Sequence, residues 1–156
     1  MSMEHSVVLV KPDGLQRGLI GRIIGRFEEK GLKLVAIKMI QLNDQILDLW
    51  YEHHKEKPFF TSLKGFMMKT PIVAMVWEGV EATDTIRKLI GTTKGRAAEA
   101  GSVRGDFAMS QSNNLIHASD SSQNAEKEKS LIFSPEEIHA YVSAMDMLVY
   151  SDEELE

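Results

Sequence analysis

His117 stands in "SNNLIHASDSS" (112–122), a run of amides and hydroxyls broken by the apolar pair Leu115 and Ile116. Four readings are open: a core histidine, a metal ligand, a hydrolase triad member or a nucleophile. A metal needs partners at ligand spacing. His5 and His139 have none, and His53 and His54 are neighbours whose side chains diverge by about 100° on a helix. "HASD" holds the residue types of a Ser-His-Asp triad. On a strand, however, Ser119 shares a face with His117 while Asp120 points away, and no G-x-S-x-G elbow is present. A nucleophilic imidazole needs one nitrogen free and the other held as N–H. Glu126 and Glu128, on the helix expected just downstream, can hold it. On residue chemistry alone, the nucleophile and the satisfied structural histidine stand level.

Cations that suit a small polyanion are spread along the chain: Lys11, Arg87, Lys94, Arg96 and Arg104, with Thr92 and Thr93 beside them. Guanidinium forks match phosphate oxygens; singly, each cation is an ordinary solvated charge. "KPFF" (57–60) puts two aromatics in succession, either both in the core or one exposed as a stacking plate for a nucleobase. The glycines of "GLQRGLIGRIIG" fit neither GxxxxGK[ST] nor GxGxxG. "GLIG" resembles the GxxG clamp of KH RNA-binding domains, against the plainer reading of helix-packing positions.

These residues must be positioned by a fold. "SVVLVK" (6–11) reads as a buried strand. Residues 18–31 have helical spacing, with Gly31 as the stop. "LKLVAIKMIQL" (32–42) alternates, with Leu32, Leu34, Ala36 and Lys38 on one side of a strand. Asn43 reads as an N-cap, "KPFF" as a break, and a short helical piece follows through Met68. "PIVAMVWEG" (71–79) is a strand, 80–91 a helix ended by Gly91, and 92–114 a long loop of the functional kind. "LIHAS" is a short strand, followed by a serine-capped helix. "SPEE" (134–137) is a capping box with Pro135 at the first helical position. The order predicts an α+β, ferredoxin-like βαββαβ sandwich: a four-stranded antiparallel sheet with helices on one face and added C-terminal helices. One domain, 1–156, is expected, with 151–156 a solvated tail.

The 156 residues are 43% hydrophobic and 26% charged, a globular profile. No apolar run approaches the roughly 20 residues of a membrane span, and "MSMEHSVVLVKPDG" lacks a signal-peptide pattern. There is no cysteine, which excludes disulfides and thiolate metal sites and fits a cytoplasmic setting. Net charge is −5, but residues 1–122 hold 14 acidic and 16 basic side chains against nine and two in 123–156. That body is too weakly basic for a general nucleic-acid binder.

"NLIHASDS" (114–121) resembles the active-site signature of nucleoside diphosphate kinases, N-x-x-H-[GA]-S-D-[SG]. "VKPDGLQRGLIGRIIGRFEEKG", "YEHHKEKPFF", "VAMVWEG", "RGDF" and "AEKE…F.PEE" resemble other segments of that family in the same order, covering about residues 4 to 150. The resemblance implies that His117 is phosphorylated on Nδ1, that Glu128 orients its ring, and that Ser119 sits beside it near the transferred phosphate. Lys11, Tyr51, Arg87, Thr93, Arg104 and Asn114 match residues that hold phosphates and ribose; Phe59 matches the base-stacking aromatic. It further implies transfer of a γ-phosphate from a nucleoside triphosphate to a diphosphate in ping-pong fashion, with broad base and sugar tolerance. Mg²⁺ would be held mainly by the nucleotide phosphates. A homo-oligomer is implied, and "MLVY" favours a hexamer over a tetramer. The alternative is a ferredoxin-like or KH-like RNA-binding module using "GLIG". Two departures stand out. The family's loop prolines are missing from "TTKGRAAEAGSVRGD", which predicts a floppier loop with altered subunit contacts. "SQSNN" replaces a "GRN"-type ending, so Ser112 and Asn113 depart at the edge of the base pocket.

Overall fold

The computed structural model describes residues 3–155, so positions 1, 2 and 156 of the expected domain and tail lie outside it. Among these residues the strands are β1 (Met3–Val10), β2 (Lys33–Ile40), β3 (Ile72–Val80) and β4 (Ile116–Ala118). The helices are α1 (Pro12–Gln16), α2 (Ile20–Lys30), α3 (Asp44–Trp50), α4 (Phe60–Met67), α5 (Ala82–Ile90), α6 (Val103–Phe107), α7 (Ser122–Ile132), α8 (Asp146–Val149) and α9 (Asp152–Leu155). The strands form an antiparallel sheet in the order β2-β3-β1-β4, as the ferredoxin-like reading requires.

β1 and β3 are continuous apolar runs because both of their faces are covered. Val8, Val10, Val73, Met75 and Trp77 pack with Ile23 and Phe27 of α2 and Ile86 of α5. Val7, Leu9, Ala74 and Val76 pack with Leu47 and Trp50 of α3, Met67 of α4 and Ile132 of α7. Helices were expected on one face only. The two helices of the βαββαβ unit do share one face, but the α3–α4 insertion and α7 close the other. His117 pairs with Leu9, which packs in that second core.

Local signals explain the element ends. Gly31, at φ 95°, donates to Glu28 O while Leu32 N donates to Phe27 O, a Schellman stop for α2. Asn43 Oδ1 accepts from Ile46 N at 2.9 Å, and Ser121 caps α7. The capping box at Ser134 forms, with Pro135 at its first position, but encloses only a 3₁₀ turn.

Several expectations fail for identifiable reasons. A register shift between Leu34 and Ala36 inserts an extra residue in β2. Val35 and Ala36 are therefore both buried, while Ile37 and Met39 are exposed. Gly21 and Gly25 are not tight packing positions, since a Cβ at either would meet nothing within 4 Å. The tail carries α9, although Asp152 and Glu153 on it are solvated. The 92–114 loop contains α6 and a 3₁₀ turn at Gly95–Ala97, both too short for periodicity to reveal. It is also pinned to α2 and its approach. Arg17 Nη1 donates to Phe107 O and Arg26 Nη1 to Gly101 O, each at 2.6 Å. Arg26 also pairs with Asp106, and Arg22 lies 4.4 Å over the Phe107 ring. No described helix is long and apolar enough to cross a membrane.

Candidate active site

His117 is delivered to its place by a tightly held backbone. Leu115, fully buried, adopts φ 74°, a left-handed conformation that costs a non-glycine residue about 1–2 kcal/mol. α1 and the residue before it hold it there: Lys11 N donates to Leu115 O at 2.8 Å, and Leu115 N donates to Asp13 Oδ2 at 3.0 Å. Gly14 permits the approach, since a Cβ there would lie 2.9 Å from Leu115 O. The chain leaves this clasp directly into β4.

On β4 the His117 ring meets Trp50 edge-on, with centroids 5.2 Å apart. Its Nε2 lies 3.0 Å from Glu128 Oε1 on α7. The carboxylate accepts, so the proton sits on Nε2 and Nδ1 carries the lone pair. Nδ1 has no partner among the described residues, and His117 lines a cavity of about 940 Å³. The other carboxylate oxygen of Glu128 accepts from Ser119 Oγ at 2.6 Å, and Ser119 Oγ itself accepts from Val7 N. Strand spacing thus brings His117 and Ser119 to the two oxygens of one carboxylate. Ser119 is fully buried and lines no part of the cavity. Its hydroxyl meets the Glu128 carboxylate and does not face the cavity. Asp120 bonds Asn124 Nδ2 at 2.6 Å rather than His117, so no triad forms.

The same cavity gathers Lys11, Tyr51, Phe59, Arg87, Thr93, Arg104 and Asn114 from stretches spread over residues 11 to 114. Lys11 Nζ donates to Asn114 Oδ1 at 2.7 Å. Burial, and then the charge of Arg104, lower its ammonium to about 8. The Arg104 guanidinium is buried under three backbone carbonyls, those of Asn114, Gly91 and Ile116. Burial, then Arg87, lower it to about 10. Three of its five N–H groups are spent on these carbonyls, leaving one on each terminal nitrogen for a ligand. The Arg87 guanidinium, at the end of α5, is exposed and hydrogen-bonds to no described residue. Asn114 gives both amide hydrogens away, to Thr93 O at 3.0 Å and Gln111 O at 2.8 Å. Only one lone pair on its Oδ1 is left. Tyr51 is buried, and burial, followed by the Glu128 charge, raises its phenol above the ordinary value, so it stays a donor. Phe59 is 50% exposed, whereas Phe60 packs against the second core.

Of the other candidates, Thr92 lines the cavity, but Lys94, Arg96 and the "GLIG" stretch do not. Residue chemistry missed Trp50, and it weighed His53 and His54 only as metal ligands. Both line the cavity, in a 3₁₀ turn that brings their rings to 3.9 Å rather than apart. Burial, with His53 and Lys57 nearby, lowers the His54 pKa. The signal for both was their place beside Tyr51 and ahead of "KPFF". Among the described residues no three histidine or carboxylate side chains converge on a metal-sized point.

A family model described as nucleoside diphosphate kinase matches residues 4–138. A nucleoside diphosphate kinase of Pyrococcus horikoshii is 49% identical over 146 residues, covering 92% of this chain and 93% of that one. One of Archaeoglobus fulgidus is 46% identical over 150 residues, covering 96% and 99%. The solved structure of a halophilic nucleoside diphosphate kinase from Halobacterium salinarum in complex with CDP superposes with a TM-score of 0.93 at 40% identity, covering 96% of this chain and all of that one.

Proposed function

The chain belongs to the nucleoside diphosphate kinase family and is an enzyme that passes a terminal phosphate to nucleoside diphosphates; we propose that the transfer runs through a phosphohistidine on His117. The observation that carries this is the 3.0 Å contact of Nε2 with Glu128, which leaves Nδ1 as the unprotonated nitrogen on a cavity-lining ring. The Nδ1 lone pair attacks the γ-phosphorus of a nucleoside triphosphate, and the bond from that phosphorus to the β,γ-bridging oxygen breaks. The diphosphate leaves with the electron pair. A second diphosphate then takes the phosphoryl group by the reverse step, which is ping-pong covalent catalysis. The ring becomes cationic on attack, and the Glu128 carboxylate stabilises that charge. Positioning and charge neutralisation do the rest, as suits phosphoryl transfer.

In this reading Lys11, Arg87 and Arg104 grip phosphate oxygens, with Thr93 and the Tyr51 phenol donating beside them. Asn114 was expected to touch both sugar and phosphate. With no hydrogen left to donate, it suits a ribose hydroxyl and not a phosphate oxygen. Phe59 stacks on the flat face that every base shares, which supports broad base tolerance. Mg²⁺ fits as a passenger on the phosphates: of the two acidic lining residues, Glu128 is engaged by His117 and Ser119 and Asp120 by Asn124. When bound, it neutralises charge on the phosphate oxygens. Assembly into a homo-oligomer is supported by exposed Met147 and Leu148 on α8 and Ile37 and Met39 on edge strand β2; a hexamer before a tetramer rests on the "MLVY" resemblance. Light scattering measures it. A cytoplasmic location belongs to the same reading and is checked by cell fractionation.

The test is incubation with γ-labelled ATP and no acceptor. The protein should take up acid-labile, base-stable label that any nucleoside diphosphate removes. A His117→Gln variant that still acquires such label would sink the proposal.

A further inference from the structure

Asp13 lines no part of the cavity, yet it belongs to the clasp that ties Lys11 to Leu115. Its Oδ2 accepts from Leu115 N at 3.0 Å, and its Oδ1 is buried with no hydrogen-bond partner among the described residues. A buried carboxylate oxygen without a partner costs stability. The oxygen of an asparagine would accept from Leu115 N equally well, so that bond does not account for the charge. Lys11 accounts for it. Its buried ammonium is opposed by burial and by Arg104 and is supported by Asp13. Of the two acidic residues that line the cavity, Asp120 lies toward Arg87 and Glu128 holds His117. Asp13 is the carboxylate left to Lys11.

We propose that Asp13 is a positioning residue with two separable tasks: its oxygen holds the left-handed Leu115 that delivers His117, and its charge balances the phosphate-gripping Lys11 from outside the cavity. This rests on the nucleotide reading above and deepens it. One turn of chain serves both tasks, because Lys11 immediately precedes α1 and Asp13 lies in its first turn. A counter-charge inside the cavity would compete with phosphate oxygens for the ammonium. Asp13 makes no hydrogen bond to it. One ammonium hydrogen goes to Asn114, and two remain for a ligand. The carboxylate thus favours the charged lysine without occupying the place of the phosphates.

The test measures kcat/KM for ATP against pH in the wild type, Asp13→Asn, Asp13→Ala and Asp13→Glu, each with its melting temperature. Asp13→Asn keeps an acceptor for Leu115 N and removes the charge. Its alkaline limb should lie at lower pH than that of the wild type. For a limb moved by about one pH unit, kcat/KM falls about fivefold at pH 8 and holds at pH 6. Asp13→Ala removes both the charge and the acceptor, and should be about tenfold slower at pH 6 as well. Asp13→Glu keeps the charge and shifts the acceptor, so it should slow the enzyme and leave the limb in place. A merely structural residue would lower the rates without moving the limb. A folded Asp13→Asn with the wild-type limb would therefore overturn the proposal, and so would an Asp13→Glu limb displaced to lower pH. Asp13→Ala as fast as Asp13→Asn at pH 6 would remove the clasp from it. Labelling by γ-labelled ATP at pH 6 separates the two readings. If the wild type takes up label but the limb does not move in Asp13→Asn, only the Asp13 proposal fails. If the wild type takes up no label, the phosphohistidine fails.

Discussion

Ser119 offers the sharpest test of the site, because it touches nothing in the cavity and everything it does for catalysis must pass through Glu128. Its Oγ donates to Glu128 Oε2 at 2.6 Å, while Oε1 of the same carboxylate holds His117 Nε2 at 3.0 Å. A hydrogen bond to a charged group contributes about 1.5–3 kcal/mol. If about half of that is felt as poorer aim of the carboxylate, Ser119→Ala slows phosphorylation of His117 about tenfold, at 1.36 kcal/mol per decade. Glu128→Gln keeps the shape but removes the charge that faces the developing imidazolium. The difference between charged and neutral hydrogen bonds predicts about a tenfold loss. Groups that act as one unit do not add. The double variant should therefore lie near the Glu128→Gln rate, about tenfold down, and not near the product of about a hundredfold. Rapid-quench single turnovers with γ-labelled ATP measure the step directly. A double variant at the full product would refute the relay and put Ser119 back beside the phosphate.

Two further outcomes follow from the same geometry. The Lys11 ammonium, lowered to about 8 by burial and Arg104, is the charged form that grips phosphate, so its charge is lost as pH rises through that value. In the free enzyme kcat/KM should fall on the alkaline side of pH 8, and a Lys11→Met variant should be weak throughout and lack that limb; a limb unchanged in the variant would assign it elsewhere. Arg26 binds Gly101 O and Asp106 and so tethers a loop that holds no proline. Arg26→Ala should speed amide hydrogen exchange across Val103–Phe107 and raise KM through Arg104, while exchange in β1 and β3 stays slow; uniform exchange would refute a local clasp.

Legibility tracked the range of the physics. Turn and cap chemistry is local, so the Asn43 cap, the Gly31 stop and the Ser134 capping box were all readable from a few residues. The continuous apolar runs of β1 and β3 marked them as central strands. The β2 bulge was not readable, because its alternation is broken by pairing to a strand forty or more residues away, Leu34 with Trp77 and Ala36 with Val76. α6 and the 3₁₀ turns were hidden by being shorter than a helical period can reveal. The loop expected to be floppy is tethered by arginines from α2 and its approach, contacts that span 75 to 90 positions.

The sequence alone determined which chemistry was available: a histidine with neighbouring carboxylates, scattered cations and a pair of aromatics, in an order that resembles one enzyme family. Only the tertiary structure decided which members meet. Glu126 and Glu128 were equal as residue types, but two positions apart on a helix they face opposite ways, at about 100° per residue. Glu126 takes Lys129 and Glu128 takes His117. Asn114 and Ser119 have types suited to a ligand, yet most of their hydrogen-bonding capacity is spent on Lys11, Thr93, Gln111, Val7 and Glu128. A hydrogen-bonding group has a fixed number of hydrogens and lone pairs. Residue type sets that number, and the fold sets where each one goes.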